Sequence, residues 1–301
     1  MRVACLTVTY PGVEQYLDEF YQSYLGQSYP DAELVIFNDG AENLSDLISA
    51  YDKQPSLVQD ATGSPPENRM QGFQACQQAG YDIIICADAD ETMHSDRIRD
   101  IVKYFKTHPE SDLVYNNSIF NDDSGSFDLN YKSTLKWQDI LNFNVLGYGA
   151  MNLRCSLVQF FKRHANVRVE AFDWWLAMVY LLNHDSVEFL PGTWNEYRKH
   201  DDNFVGPITD VKSFQIQQAL KIKTQFFKHL SHYCYRFQIY NSPDIVRMQL
   251  EGVEETNDVI HFIGFEWYAQ TVKKYLATKD RIYWWQPAVL MDELVKNWVS
   301  A

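Results

Sequence analysis

Short apolar runs alternate with amphipathic stretches over the first two thirds of the chain. Residues 2–9 form an apolar run, and the apolar residues that follow it recur at helical spacing up to Tyr24. A second apolar run at 33–37 ends in Asn-Asp-Gly, a sequence typical of turns. This alternation predicts parallel strands joined by helices, which is the pattern of an α/β fold.

The same alternation continues to about residue 190, and beyond that the pattern changes. The further predicted elements are a helix at 44–51, strands near 56–60 and at 83–86, a helix at 67–79, a helix that Ser95 caps, a strand at 112–120, a hairpin or loop at 121–134, a helix at 174–183 and a strand at 186–190. From about 211 the pattern is helical and rich in aromatic residues, without further strand–helix alternation. We therefore expect two domains, residues 1–210 and residues 211–301.

The stretch from Tyr81 to Asp90 combines the most strongly apolar run with two carboxylates. Ile83–Cys86 is too short for a core helix and rich in β-branched residues, so it is typical of a buried central strand. Asp88 and Asp90 follow it, and alternate residues of an extended chain point the same way. Ligands of open α/β sheets gather at the carboxyl ends of strands, so this pair predicts a site for a divalent cation with a diphosphate.

Other structures explain an Asp-x-Asp triplet as well, beginning with a plain surface turn. Residues 88–92 also spell Asp-x-Asp-x-Thr, the nucleophile signature of haloacid-dehalogenase-type phosphatases. The sequence lacks the Gly-Asp-x-x-x-Asp metal motif of those enzymes, but the phosphatase stays an alternative. An EF-hand is excluded, because Met93 and Arg99 stand where a calcium loop needs Gly and Glu.

Further polar residues have both a structural and a functional interpretation. Asp39 is either a turn residue or an acceptor for a nucleotide base or ribose. Arg69 lies at the start of a predicted helix, where a guanidinium and free backbone N–H groups can meet a diphosphate. Asp173 precedes a Trp-rich helix and is either its N-cap or a general base. His200 is either an exposed loop residue or a ligand for metal or phosphate.

A zinc site near the middle of the last third of the chain has weak support. His229 and His232 lie three residues apart on a predicted helix near Cys234, but a fourth ligand is missing from the pattern.

Charge and cysteine content narrow the class of protein. The net charge is −14, which argues against a general nucleic-acid binder. Residues 1–210 carry 15 Lys and Arg against 31 Asp and Glu, whereas residues 211–301 carry 11 against 9. The five cysteines are scattered, which predicts free thiols in a reducing compartment. Without a visible signal peptide or membrane span, we expect a cytoplasmic protein, with 211–301 as a candidate for peripheral membrane contact.

The order of the motifs resembles that of family 2 glycosyltransferases of the GT-A fold, over roughly residues 1–206. The final motif is the most specific, because it joins Tyr-Arg-x-His to a later Asn and Gly. The motifs that carry the resemblance are VTYPG at 8–12, NDG at 38–40, ENRMQG at 67–72, DADE at 88–91, GYGAMNLR at 147–154, FDWWLAM at 172–178 and YRKHDDNFVG at 197–206.

The resemblance implies a Rossmann-like, mostly parallel sheet flanked by helices, with a helical C-terminal extension. It also implies one role for each matching residue. Implied for the nucleotide-sugar donor are Thr7, Tyr10, Asp39, Arg69, Asp88 and Ala89; implied for the metal ion are Asp90 and His200; and implied as the catalytic base is Asp173.

The implied reaction is an inverting transfer from a nucleotide-diphosphate sugar to an acceptor hydroxyl, with Mn²⁺ or Mg²⁺ as cofactor. The resemblance further implies a glycan or lipid-linked acceptor and a role in bacterial polysaccharide or cell-surface glycan synthesis. For residues 211–301 the candidate roles are acceptor binding, a homodimer interface and membrane contact.

Two motifs depart from the family. Asn38 and Ala41 stand where the family often has Asp and Ser, and Phe172 stands where a second acidic residue usually precedes the base. The second departure leaves an inactive carbohydrate-binding module as another alternative.

Overall fold

A computed structural model describes six stretches of the chain. They are residues 1–122, 125–128, 132–198, 212–239, 243–279 and 286–294. Contacts divide this described chain into two compact units. The first unit consists of residues 1–136, 146–168 and 186–200, and the second of residues 137–145, 169–185 and 201–301. The predicted domain boundary at residue 210 stays a prediction.

The first unit contains the whole described sheet. Its strands are β1 (Val3–Thr9), β2 (Ala32–Asn38), β3 (Leu57–Asp60), β4 (Ile83–Cys86), β5 (Thr92–Met93), β6 (Leu113–Asp122), β7 (Gly125–Asp128), β8 (Thr134–Leu135), β9 (Met151–Arg154) and β10 (Val187–Arg198). The main order is β3-β2-β1-β4-β9-β6-β10-β5, while β7 pairs with β6 and β8 pairs with β10. Neighbours are parallel from β3 through β4 and again between β6 and β10, and β9 runs antiparallel between them.

The helices divide between the two units. Those of the first unit are α1 (Glu14–Leu25), α2 (Leu44–Ser49), α3 (Pro65–Gln78), α4 (Arg97–Thr107) and α5 (Val158–His164). Those of the second are α6 (Phe172–Asn183), α7 (Ser213–Phe237), α8 (Pro243–Ile263) and α9 (Phe265–Leu276).

The first unit has a core of apolar strand residues covered by helices. β4 is fully buried along its length, as a central strand of a covered parallel sheet requires. One covering face comes from α1 through Phe20 and Tyr24, and from α4 through Ile98 and Phe105. These helices carry apolar residues at helical spacing, so burial of that stripe fixes them against the sheet.

The second unit has an interior dominated by aromatic rings. α6 is apolar nearly all round and is buried, as expected of such a helix. The Trp174 ring stacks on Phe226 with centroids 3.9 Å apart, and its Nε1–H donates to the carbonyl of Ile140 at 2.7 Å. The Trp175 ring meets Tyr233 edge-on at 5.6 Å.

Three elements differ from the sequence-based expectation. β10 continues through Pro191 and Gly192, because a register shift between Leu190 and Trp194 takes the extra residues out of the ladder. Residues 151–154, for which the sequence pattern predicted no strand, form β9. α6 begins at Phe172 with Ala171 as its N-cap, so the N-cap interpretation of Asp173 is wrong. Burial of the Phe172 ring together with Trp174 and Trp175 extends the helix toward its N-terminus.

All five cysteines are free and buried, as predicted. Among the described helices, none is both long and apolar enough to cross a membrane. The cytoplasmic location and the peripheral membrane contact stay predictions.

Candidate active site

The carboxyl ends of three neighbouring parallel strands bring the first candidate residues together. Tyr10 follows β1, Asp39 follows β2 and Asp88 follows β4. The Asp39 N–H donates to the Thr9 carbonyl at 2.9 Å, which fixes the end of β2 beside the end of β1. Gly40 adopts φ +87°, a left-handed conformation that glycine favours, so the Asn-Asp-Gly turn forms as predicted.

The segment Asp88–Glu91, called here the acidic turn, is not an extended chain. The Glu91 N–H donates to the Asp88 carbonyl at 3.2 Å, which closes a turn directly after β4. The assumption that the chain is extended at Asp88 and Asp90 is therefore wrong, and their joint binding of one cation stays a prediction. The turn instead directs Asp90 to the Tyr10 hydroxyl, which donates to its Oδ2 at 3.0 Å. Burial, and then the Asp90 charge, raise the pKa of Tyr10, so the hydroxyl stays protonated as a donor.

Arg69 lies at the Asp88 end of the acidic turn. It lies in α3, whose first turn is held by a capping box between Ser64 and Glu67. Its guanidinium lies 4.2 Å from the centroid of the Tyr148 ring, and Nη2 lies 3.6 Å from Asp88 Oδ1. Both side chains are about one-third exposed or less, so the cation is held close to the acidic turn and open to an anionic ligand.

Arg198 at the end of β10 secures the acidic turn from a third side. Its Nε donates to the carbonyl of Asp90 at 3.0 Å, and its guanidinium lies 4.8 Å from the Tyr16 ring centroid. A hydrogen bond to Glu19 completes its contacts. Arg198 belongs to the motif at 197–206, but the sequence alone predicted no role for it. Continuation of β10 beyond Gly192 is what brings it to Asp90.

Glu91 is a second residue of the site whose role was not predicted from the sequence. Its side chain is 5% exposed, and it accepts a hydrogen bond from the Asn195 amide of β10. Burial is the main cause that raises its pKa well above the ordinary value, and the charges of Asp88 and Asp90 add to this. The third acidic residue of DADE, next to Asp90, was the available signal for it.

Gly149 lies against two carboxylates of the acidic turn. A Cβ atom placed on Gly149 would be 2.8 Å from Asp88 Oδ2 and 2.8 Å from Glu91 Oε2. Such distances are shorter than van der Waals contact, so glycine is required for this arrangement of Asp88 and Glu91. The contact of Gly149 with the acidic turn depends on β9, which follows Gly149 in the chain and pairs with β4.

Two predicted donor contacts lie inside the fold rather than on its surface. Thr7 is fully buried in β1, and its hydroxyl has no hydrogen-bond partner within the described chain. It lines a cavity of about 10 Å³ with mostly apolar walls, large enough for about one water. Ala89 is also fully buried. Their roles in donor binding stay predictions.

The remaining candidates belong to other parts of the chain. Asp173 lies in the second unit, in the first turn of α6, where its Oδ1 accepts the Trp174 N–H at 2.8 Å. His200 lies outside the described residues, so its role stays a prediction. Within the described ranges, no group of three or more His, Cys, Asp and Glu is arranged to hold a metal ion. This finding does not support a zinc site at His229 and Cys234.

The acidic turn fits a hard divalent cation by its chemistry. Asp88 and Asp90 present carboxylate oxygens, which are the ligands that Mg²⁺ and Mn²⁺ prefer.

Comparison with known proteins identifies a family that the sequence matches and solved structures with a similar fold. The family model described as glycosyl transferase family 2 matches residues 5–169. This match confirms the predicted family. No curated protein matches the chain at a significant level.

Solved structures with the same fold are glycosyltransferases. TarS of S. aureus matches with a TM-score of 0.56 and 14% identity, over 85% of this chain and 55% of that one. Its 1–349 portion in complex with UDP-GlcNAc matches with 0.55 and 15%, over 84% and 79%. The mannosyltransferase PcManGT from Pyrobaculum calidifontis, in complex with GDP-Man and Mn²⁺, matches with 0.55 and 13%, over 99% and 87%. The chain thus spans about half of that TarS chain, and the TM-scores of 0.55 and 0.56 confirm the predicted GT-A fold.

Proposed function

Because the chain belongs to glycosyl transferase family 2, we propose that it moves a sugar from a nucleoside diphosphate to an acceptor hydroxyl with inversion at the anomeric carbon. The observation that carries the proposal is the acidic turn at the carboxyl end of β4, between the Tyr10 hydroxyl and the Arg69 guanidinium. The proposed acceptor is a glycan or a lipid-linked molecule, and the proposed biological role is bacterial polysaccharide or cell-surface glycan synthesis.

The donor lies along the strand ends. Tyr10 and Asp39 are proposed to contact the nucleoside, because they follow the adjacent strands β1 and β2. Arg69 contacts the diphosphate, for which a partly exposed guanidinium offers charge-assisted hydrogen bonds. Asp88 contacts the ribose or the metal ion. This arrangement uses a cation from α3 and hydroxyl and carboxylate groups from the sheet edge.

Charge balance calls for a divalent cation. A diphosphate and the carboxylates of the acidic turn repel each other, and Arg69 alone supplies too little positive charge for both. Asp88 and Asp90 would hold Mn²⁺ or Mg²⁺, which when bound neutralises the charge that develops on the leaving diphosphate. Mn²⁺ in the GDP-Man complex of PcManGT supports this assignment.

Asp173 is proposed as the general base. It takes the proton of the acceptor hydroxyl while that oxygen bonds to the anomeric carbon and the bond from carbon to the diphosphate oxygen breaks. Attack opposite the leaving group inverts the configuration in one displacement. The hydrogen bond from the Trp174 N–H to Asp173 Oδ1, 2.8 Å long, restrains the orientation of the Asp173 carboxylate. Because Phe172 precedes it, Asp173 has no neighbouring acidic residue in its motif.

The test compares nucleotides, sugar nucleotides and phosphoesters on the unmodified protein. We expect UDP-GlcNAc or GDP-Man with Mn²⁺ to raise the melting temperature, since a ligand of the native state stabilises it. Transfer would release nucleoside diphosphate. Release of inorganic phosphate from small phosphomonoesters, without any effect of sugar nucleotides, would instead favour the phosphatase alternative.

A further inference from the structure

A buried cation lies directly behind the acidic turn. Arg97, the first residue of α4, is fully buried. Its Nη2 donates to the carbonyls of Cys86 and Gly149, both at 2.6 Å, and its Nε donates to Asn116 Oδ1 at 3.0 Å. The guanidinium therefore connects the end of β4, from which the acidic turn starts, to the glycine against which that turn rests.

Asn116 and Asn195 complete a closed set of contacts, called here the polar ring. Asn116 Nδ2 donates to Asn195 Oδ1 at 2.8 Å, and Asn195 in turn donates to Glu91. Glu91 lies against Gly149, and the Gly149 carbonyl accepts a hydrogen bond from Arg97, which closes the ring. The polar ring thus joins α4, β6, β10, the acidic turn and the residues before β9, and all its side chains are buried.

This arrangement is costly for a purely structural element. Taking a guanidinium and a carboxyl group out of water costs several kcal/mol for each ionised group unless partners compensate. Arg97 Nη1 is buried without a hydrogen-bond partner among the described residues, which adds a further penalty. Departures of this kind from good packing are concentrated at functional sites.

We propose that Gly149 and Glu91 are positioning residues for the donor site, held by Arg97 and the two asparagines of the polar ring. They contact no donor themselves. They set where the Asp88 carboxylate stands, because Asp88 Oδ2 rests against the bare Cα of Gly149. The inference rests on the proposed function, since it assigns Asp88 to the bound diphosphate sugar and its cation.

Gly149→Ala is the direct test. The Cβ would displace Asp88 Oδ2 and Glu91 Oε2, which are ends of flexible side chains, and the backbone of Gly149 is not in the left-handed region. We expect the melting temperature to change little. We expect the Kd for UDP or GDP in the presence of Mn²⁺ to rise about tenfold or more, as for changes to supporting residues of metal sites. The Kd of the same nucleotide in EDTA should stay the same.

Gly192→Ala is the matched control. Gly192 is exposed in β10, and a Cβ placed on it meets no atom within 4 Å. We expect it to bind both nucleotides like the unmodified protein. Equal Mn²⁺-dependent Kd values for Gly149→Ala and Gly192→Ala would overturn the inference.

Glu91 variants keep the inference testable if Gly149→Ala does not fold. Glu91→Gln retains the size of the side chain and an oxygen for the Asn195 N–H, so it should bind the Mn²⁺-nucleotide within about threefold of the unmodified protein, whereas Glu91→Ala should lose about tenfold. An equal loss in both variants would show that the carboxylate acts by its charge, and would overturn the positioning role. Failure of the unmodified protein itself to bind UDP or GDP with Mn²⁺ would refute the proposed function instead.

Discussion

The two units bury different kinds of side chain. The first unit buries Glu91, Arg97 and a set of asparagines beside its acidic turn, whereas the second surrounds Trp174 with other aromatic rings. Stacked rings contribute to stability through burial and favourable ring geometry. Buried charges contribute little to stability on balance, and their value lies in the arrangement that they hold. We therefore propose that the interior of the first unit positions a charged ligand, whereas that of the second unit mainly provides packing.

The largest expected effect separates catalysis from donor binding. Asp173→Asn keeps the size of the side chain and an oxygen that can accept the Trp174 N–H, but it cannot take a proton from the acceptor. We expect the transfer rate to fall by about 10²- to 10⁴-fold. Donor affinity, measured by calorimetry with Mn²⁺, should stay unchanged. Activity equal to that of the unmodified enzyme would refute Asp173 as the base.

The next effect concerns the acidic turn. Asp90→Ala removes one carboxylate of the site and the acceptor of the Tyr10 hydroxyl. We expect Mn²⁺-dependent nucleotide affinity to fall by about 10- to 100-fold or more, since even supporting residues of metal sites have effects of that size. Calorimetry with Mn²⁺ and with EDTA measures the difference. Asp82→Ala is a suitable control, because Asp82 is an exposed acid before β4. Similar losses in both variants would indicate a general charge effect.

The smallest expected effect concerns Lys223, a buried basic residue in the otherwise mainly aromatic interior of the second unit. Lys223 is 2% exposed there, and its Nζ donates to the Ala288 carbonyl at 2.9 Å. Burial lowers its pKa from 10.5 to about 8, against the opposing effect of Glu293 and Asp292. Between these pH values the unfolded chain binds more protons than the folded chain, so this group makes stability rise with pH.

Lys223→Met removes that titration while keeping most of the apolar stem. Between pH 8 and 9.5, the unmodified protein should gain stability relative to Lys223→Met by up to about 1.4 kcal/mol per pH unit. Denaturant unfolding of both proteins across that range measures the difference in slope. Parallel stability curves would show that the Lys223 pKa is not lowered in the folded protein.

Local patterns were sufficient to predict the half of the site that lies at the strand ends. β1, β2 and β4 are short apolar runs, and the residues that follow them are brought together by parallel pairing alone. Asp39 and Asp88 were predicted for that reason, whereas Tyr10 was implied only by the resemblance to the family. The helix that carries Arg69 was recognised from its own residues, and its contact with Asp88 follows from packing of α3 on the sheet.

The supporting half of the site could not be predicted because it depends on distant pairing. Asn195 meets Glu91 across more than a hundred residues of chain, and only after β10 passes Pro191 without ending. Gly149 reaches the acidic turn through the antiparallel insertion of β9 between β4 and β6. A usable signal was present in the asparagines of strand-like runs, since a buried amide requires partners.

The decisive measurement is uptake of Mn²⁺, followed by the electron paramagnetic resonance signal of the free ion, because we propose that the acidic turn shares a cation with the donor diphosphate. We expect weak uptake by the protein alone or with a nucleoside, strong uptake with UDP or GDP, and loss of that uptake in Asp90→Ala. Equal uptake with and without the diphosphate, or undiminished uptake by Asp90→Ala, would contradict this proposal.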